Sequence, residues 1–189
     1  MRSSASSRPS WPGTTRAPEA VKGRRLAWPG TPAPLRPPGA RREETFAALC
    51  TRCGRCVAAC PYRALRPAGW RYGLDAGTPH VVAREEPCTL CMACPPACPT
   101  GALDRTLTDL RKVRMGKAVV DRETCYAHMG ILCRTCVDEC PLQGEAILQD
   151  GELLPVVTDR CTGCGLCEKS CPAEGSAIRI VPVGAERGA

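Results

Sequence analysis

Sixteen cysteines occupy this 189-residue chain, and every one of them falls into a group of four. The first group is Cys50, Cys53, Cys56 and Cys60; the second is Cys88, Cys91, Cys94 and Cys98; the fourth is Cys161, Cys164, Cys167 and Cys171. Each reads C-x2-C-x2-C-x3-C-P, closed by Pro61, Pro99 or Pro172. The third group, Cys125, Cys133, Cys136 and Cys140 before Pro141, keeps the last two gaps and the proline but opens the first gap to seven residues. Such a chain folds around whatever its thiols hold.

The spacing points to [4Fe–4S] clusters, because three thiolates two residues apart on a turning loop can reach three iron corners of a cubane. The fourth cysteine, just before proline, characteristically ligates the other cluster of a two-cluster unit. The proline then removes an N–H and fixes φ, sending the chain away from the site. Gly54, Gly163 and Gly165 lie beside the ligands and are expected where backbone approaches the inorganic core. Zinc sites use cysteine pairs with longer spacers and often histidine, and the two histidines here are His80 and His128. Disulfide frameworks do not repeat one ligand step with a proline behind it. The expected cofactors are therefore four [4Fe–4S] clusters held by all sixteen cysteines. His128 lies in the third motif's insertion, Tyr126 to Leu132, which reads as a hairpin-like cover; the cysteine set is complete without it.

Composition agrees with a fold organised by clusters. Seven aromatic residues in the chain, with 19 Pro and 18 Gly, leave little for a core of large side chains. The first 45 residues carry nine Lys/Arg against three Glu, while the other 144 are nearly balanced, at 17 against 16. Residues 1–40 contain no cysteine, are rich in Pro, Ser and Gly, and read as a disordered basic leader. Its charge could attract nucleic acid or an anionic membrane, but a solvated leader is the simpler reading and no nucleic-acid partner is expected. Neither Arg24-Arg25 nor Arg41-Arg42 is followed by the apolar stretch an export signal requires. No apolar run is long enough to span a bilayer.

Beyond the leader the sequence repeats. Short β-type runs precede the second, third and fourth motifs at 80–83, 117–121 and 154–158, and another follows the fourth at 177–181. Each unit reads as strand, ligand loop, short helical turn, strand. The expected fold class is α+β, with two bacterial-ferredoxin-like two-cluster modules. Residues 41–105 would carry motifs one and two, and residues 117–183 motifs three and four, with a polar boundary near Asp104 to Lys117. A nested pairing, one with four around two with three, remains open. Cluster binding and folding are expected to be coupled.

No constellation for bond-making chemistry is visible: there is no G-x-G-x-x-G, P-loop or H-E-x-x-H, and no C-x3-C-x2-C run of the radical-enzyme kind. Asp121, Glu145 and Asp159 read as solvated or capping residues, and Tyr62 and Trp70 as local packing first, with cluster shielding or part of a docking face as the alternatives. With about −2 on each oxidised cluster and its thiolates, the cluster-bearing part becomes acidic, near −7, behind a basic front end. The reading is an electron carrier, not a catalyst in itself.

Three stretches, Gly30 to Gly39 (GTPAPLRPPG), Cys50 to Pro61 (CTRCGRCVAACP) and Cys161 to Cys167 (CTGCGLC), with the long-gapped third motif, resemble the ferredoxin-type proteins of the NapG/MauM family. The resemblance covers roughly residues 30–182. It implies four [4Fe–4S] clusters with all sixteen cysteines as ligands, and a link to periplasmic nitrate reduction or methylamine oxidation. It also implies a membrane-bound ferredoxin-type partner that handles quinol, and a downstream redox protein. The location it implies is the periplasm or the periplasmic face of the inner membrane; nitrate-linked members usually bear a twin-arginine signal, which this chain does not show, and the cytoplasm is the alternative. Two other functions fit the residues: a cytosolic polyferredoxin subunit of a larger oxidoreductase, and a regulatory or nucleic-acid-binding protein with structural clusters.

Overall fold

Elements of three to seven residues are too short to be stable alone, so tertiary contacts hold each of them. The computed structural model describes residues 32–183. In its first half, α1 (Glu43–Leu49) is followed by α2 (Arg55–Ala58), β1 (Leu65–Pro67), a kinked 3-10 segment (Trp70–Asp75), β2 (Pro79–Val81) and α3 (Cys94–Ala97). A 3-10 turn at Leu110–Lys112 leads to the second half. There follow β3 (Gly116–Val120), α4 (Thr135–Asp138), β4 (Ile147–Gln149), β5 (Pro155–Val157), α5 (Leu166–Ser170) and β6 (Ile178–Pro182). The architecture is α+β. Among the described residues no helix is long and apolar enough to cross a membrane.

Both halves follow one plan. In each, the strand after one cysteine motif pairs antiparallel with the strand before the next: Leu65↔Val81 opens β1–β2, and Ile147↔Val157 opens β4–β5. The second half closes with a five-pair antiparallel ladder, β3 on β6, from Gly116↔Pro182 to Val120↔Ile178. At the equivalent place the first half has a single bridge, Ala40↔Leu103. It is flanked by the bonds Arg41 N–H to Ala102 O and Asp104 N–H to Gly39 O.

The four runs read as strands match β2, β3, β5 and β6 to within about two residues, because each is a β-branched run bounded by turn residues. Helix α1 was not expected. It buries Phe46 completely and is closed by the Cys50 N–H on the Phe46 carbonyl.

Most of the expected disordered leader, residues 1–31, lies outside the described residues. Residues 32–40 correct that expectation. Pro34 to Pro38 are buried, and Leu35 bridges to Val81. The buried Arg36 guanidinium pairs with Glu43 and Asp75, donates to the Thr78 hydroxyl, and lies 4.4 Å over the Phe46 ring. Composition alone weighs charge and proline against order; here the charge finds two carboxylates, and proline has little backbone entropy to lose.

The third motif's insertion is not hairpin-like. It is a helical turn ended by Gly130 at φ +82, with Ile131 N–H on the Tyr126 carbonyl and Gly130 N–H on the Ala127 carbonyl. That pattern is a Schellman closure, which needs a left-handed residue where glycine stands. The boundary stretch also hides more than its polarity suggests, since Val113 and Met115 are buried in the first core. Trp70 is 93% exposed and Tyr62 54%, so neither is packed locally. Asp121 caps Glu123 N–H, Asp159 pairs with Lys117, and Glu145 with Arg111 and Arg160, as solvated or capping residues do.

Candidate metal centre

The ligand loops are shaped by left-handed residues at matching places in three motifs. Between the first and second cysteines stand Arg52 (φ 56), Leu90 (φ 57) and Gly163 (φ 73). Just after the second stand Gly54 (φ 74), Met92 (φ 57) and Gly165 (φ 93). Two such residues, one on each side of the second cysteine, curl the backbone around a point and turn N–H groups inward, as an anion-binding nest does. Arg52, Leu90 and Met92 carry no signal of this by themselves. Aligned with the fourth motif, where both places are glycine, they do.

Each half brings three cysteines of one motif to the last cysteine of its neighbour. Cys50, Cys53 and Cys56 line one cavity with Cys98, among Phe46, Val57 and Leu103. Cys88, Cys91 and Cys94 line a second with Cys60, beside Pro38 and Leu65. In the second half Cys125, Cys133 and Cys136 line an apolar cavity with Cys171, between Val120, Tyr126 and Ile178. Cys161 and Cys167 share a buried core with Cys140, whose thiol is pushed up by burial and then by the charges of nearby Cys164 and Cys161. His128 is not among the residues that line the Cys125 cavity.

The surroundings fit a polynuclear iron–sulfur group. Among the described residues no three His, Cys, Asp or Glu side chains gather tightly enough for a single ion. The Cys50, Cys88 and Cys125 quartets instead surround space, as a cubane requires and a tetrahedral zinc does not. Backbone N–H groups of Leu90, Ala118 and Ala177 point at the sulfurs of Cys88, Cys161 and Cys171, each at 3.4 Å. The Thr100 hydroxyl lies 3.6 Å from Cys98 Sγ. Such contacts stabilise negative sulfur and tune potential.

Burial pushes the Cys56 and Cys136 thiols up to about 11 and the Cys88 thiol up to about 12, and raises Cys94 and Cys167 as well. At Cys98 burial also pushes upward, but the N–H groups of Leu103 and Thr100 and the Thr100 hydroxyl outweigh it and lower the thiol. A buried thiolate therefore needs positive iron beside it, and cluster binding releases protons.

Comparison with known proteins agrees with this geometry. Residues 49–102 match one 4Fe-4S dicluster domain family and residues 117–172 a second. Two clusters in each domain give the chain four [4Fe–4S] clusters. The ferredoxin-type protein NapG of Escherichia coli (strain K12) is 46% identical over 168 residues, covering 82% of this chain and 73% of that protein. The methylamine utilization ferredoxin-type protein MauM of Methylobacillus flagellatus is 48% identical over 166 residues, covering 80% and 71%. The ferredoxin-type protein NapF of E. coli is 32% identical over 144 residues, covering 73% and 80%.

Proposed function

Because the chain belongs to the NapG/MauM family of ferredoxin-type proteins, we propose that it is the electron-transfer subunit of a redox chain and not itself a catalyst. All sixteen cysteines serve as ligands, in two modules that divide near Asp104 to Lys117. One quartet is Cys50, Cys53, Cys56 and Cys98; the next is Cys88, Cys91, Cys94 and Cys60. The others are Cys125, Cys133, Cys136 and Cys171, and Cys161, Cys164, Cys167 and Cys140. The carrying observation is the exchange of the last cysteine between neighbouring motifs around cavities.

When bound, each cluster accepts and releases one electron. The residues' work is to keep that exchange cheap. Four cysteine thiolates would saturate each centre and leave no iron corner for substrate. Apolar walls such as Phe46, Leu103 and Ile178 exclude water, and the inward N–H groups of Leu90, Ala118 and Ala177 favour the negative charge gained on reduction. By resemblance, the donor is a quinol-linked, membrane-bound ferredoxin-type partner and the acceptor a downstream redox protein, on the periplasmic face of the inner membrane.

Iron and acid-labile sulfide counted on anaerobically purified protein, with a redox titration followed by electron paramagnetic resonance, tests the ligand reading. Four cubanes per chain are expected. Zinc in place of iron, or only two clusters, overturns it. Fractionation of cells making the native gene product tests the location, and reduction by quinol only with the membrane partner present tests the donor.

A further inference from the structure

From the packing between the halves, we infer that electrons pass from one half to the other at a single seam, where the Cys161–Cys167 loop lies on Ala83 and Cys88. This gives the quartets one order: the Cys50 set, the Cys88 set, the Cys161 set, the Cys125 set. The inference rests on the ligand sets proposed above and adds their sequence and the residues that position the middle pair.

Within each half the neighbours are set by helix packing. Helix α2, with Cys56, packs on α3, with Cys94; helix α4, with Cys136, packs on α5, with Cys167. Between the halves, the Cys88 N–H donates to the Cys164 carbonyl at 2.8 Å, and Met115 N–H donates to the Thr162 carbonyl at 2.9 Å. Cys164 is buried inside the first half's apolar core with Cys88, Cys94 and Leu90. Among the described residues it is the one cysteine of the second half that joins that core. The Cys88 and Cys161 quartets are thus joined through covalent chain and one hydrogen bond, and the Cys50 and Cys125 quartets are left as the two ends.

Of the glycines expected beside the inorganic core, Gly165 serves this seam. A Cβ on Gly165 would stand 2.5 Å from Ala83 Cβ and 3.0 Å from its Cα, whereas one on Gly163 would run into the Gly116 backbone inside the second half. By contrast, a Cβ on Gly54 would meet no protein atom within 4 Å. Ala83 and Gly165 are accordingly positioning residues that let two backbones touch. Two latches hold the edges: Arg84 Nη1 donates to the Glu168 carbonyl at 2.8 Å, and Lys169 pairs with Glu86 at 3.4 Å.

At the seam one electron leaves the reduced centre on one side and enters the oxidised centre on the other. The first is oxidised and the second reduced by one electron, no bond is made or broken, and no proton moves.

The test is Ala83→Leu, which wedges the seam while every ligand and the residues beside it in sequence keep their identity. Holoprotein is prepared anaerobically, reduced with dithionite and studied by electron paramagnetic resonance. In the wild type all four centres are expected to share one spin-interaction pattern; in Ala83→Leu, with iron and sulfide unchanged, interaction across the seam is expected to be lost, leaving two independent coupled pairs. Should that variant fail to load iron, Arg84→Ala with Glu86→Ala opens the exposed latches and the same loss is expected. Full cluster content with the wild-type pattern in the variant that loads overturns the order alone. Fewer than four cubanes in the wild type overturns the ligand sets and the order together.

Discussion

The two halves solve one problem in different ways. Each must clamp a pair of cysteine loops whose helices, four or five residues long, have no stability of their own. The second half does it with backbone: five antiparallel pairs between β3 and β6 tie the segment before its first cysteine to the segment after its last. Ala118, Ile147 and Ile178 are buried beneath. The first half has one bridge at that place, Ala40↔Leu103, and relies instead on side chains. The Arg36 guanidinium gathers Glu43, Asp75 and Thr78, and stacks on Phe46, which is fully buried. One ligand plan can therefore be closed by a backbone ladder laid over an apolar core, or by a polar knot gathered around one arginine.

The largest effect that probes this contrast is removal of iron. Neither closure is expected to survive it, since the thiols line cavities that collapse or flood without their contents, and folding is linked to cluster binding. Oxidative stripping with a chelator should abolish most far-ultraviolet dichroism and amide protection. The amides of β3 and β6 should be the last to exchange, because the ladder is the most extensive backbone pairing in either half. Protection lasting equally long around Arg36 would show the two closures to be equivalent.

Single substitutions separate the halves more finely. Arg36→Ala removes a buried cation shared by two largely buried carboxylates, at a cost of about 3–4 kcal/mol. In denaturant, the cluster absorbance of the first half should bleach before that of the second. Ile178→Ala empties a core position beside the Cys125 cavity and under the ladder, costing about 2–3 kcal/mol. Its bleaching order should be reversed. Equal loss of both halves in either variant would mean that the seam makes them one cooperative unit.

The features that announced themselves in sequence are those written locally. The cysteine steps, the closing prolines and the β-branched runs around Val119 and Ile180 each depend on residues within a few positions of one another. What stayed hidden depends on distance along the chain. Arg36 reads as one more charge in a proline-rich leader until its partners, 7 and 39 residues away, are brought to it. Whether Cys60 faces Cys88 or a cysteine of a later motif cannot follow from a spacing that is the same in three copies. The Cys164 contact with Cys88 spans 76 residues. Gly163 and Gly165 were visible as glycines beside ligands, but their close neighbours Gly116 and Ala83 lie 47 and 82 residues earlier. Helix α1 leaves no mark in the sequence for a different reason: in seven residues it buries only Phe46, too little for a period to show.

The smallest effect belongs to His80, and it falls on the first half. Its ring lies 4.9 Å from that of Tyr72, and Nδ1 is 3.0 Å from the Arg66 carbonyl, so the neutral ring carries its proton on Nδ1. Burial lowers its pKa, and the charges of Arg71, Arg36 and Arg66 lower it further against the opposing pull of the Arg66 carbonyl. The unfolded chain takes up its proton near the ordinary value of about 6.5. Between that value and the depressed folded one the unfolded state binds more protons, so acid favours unfolding. The contribution of His80 is complete above about pH 6.5 and is lost as the pH falls from there through the folded value. Anaerobic denaturation of holoprotein between neutral and mildly acidic pH should show the first half weakening. In His80→Gln that slope should flatten, since glutamine can donate to the same carbonyl without titrating. An identical slope in the variant would place the acid sensitivity elsewhere, and the polar closure around Arg36 would then be no more sensitive to pH than the ladder.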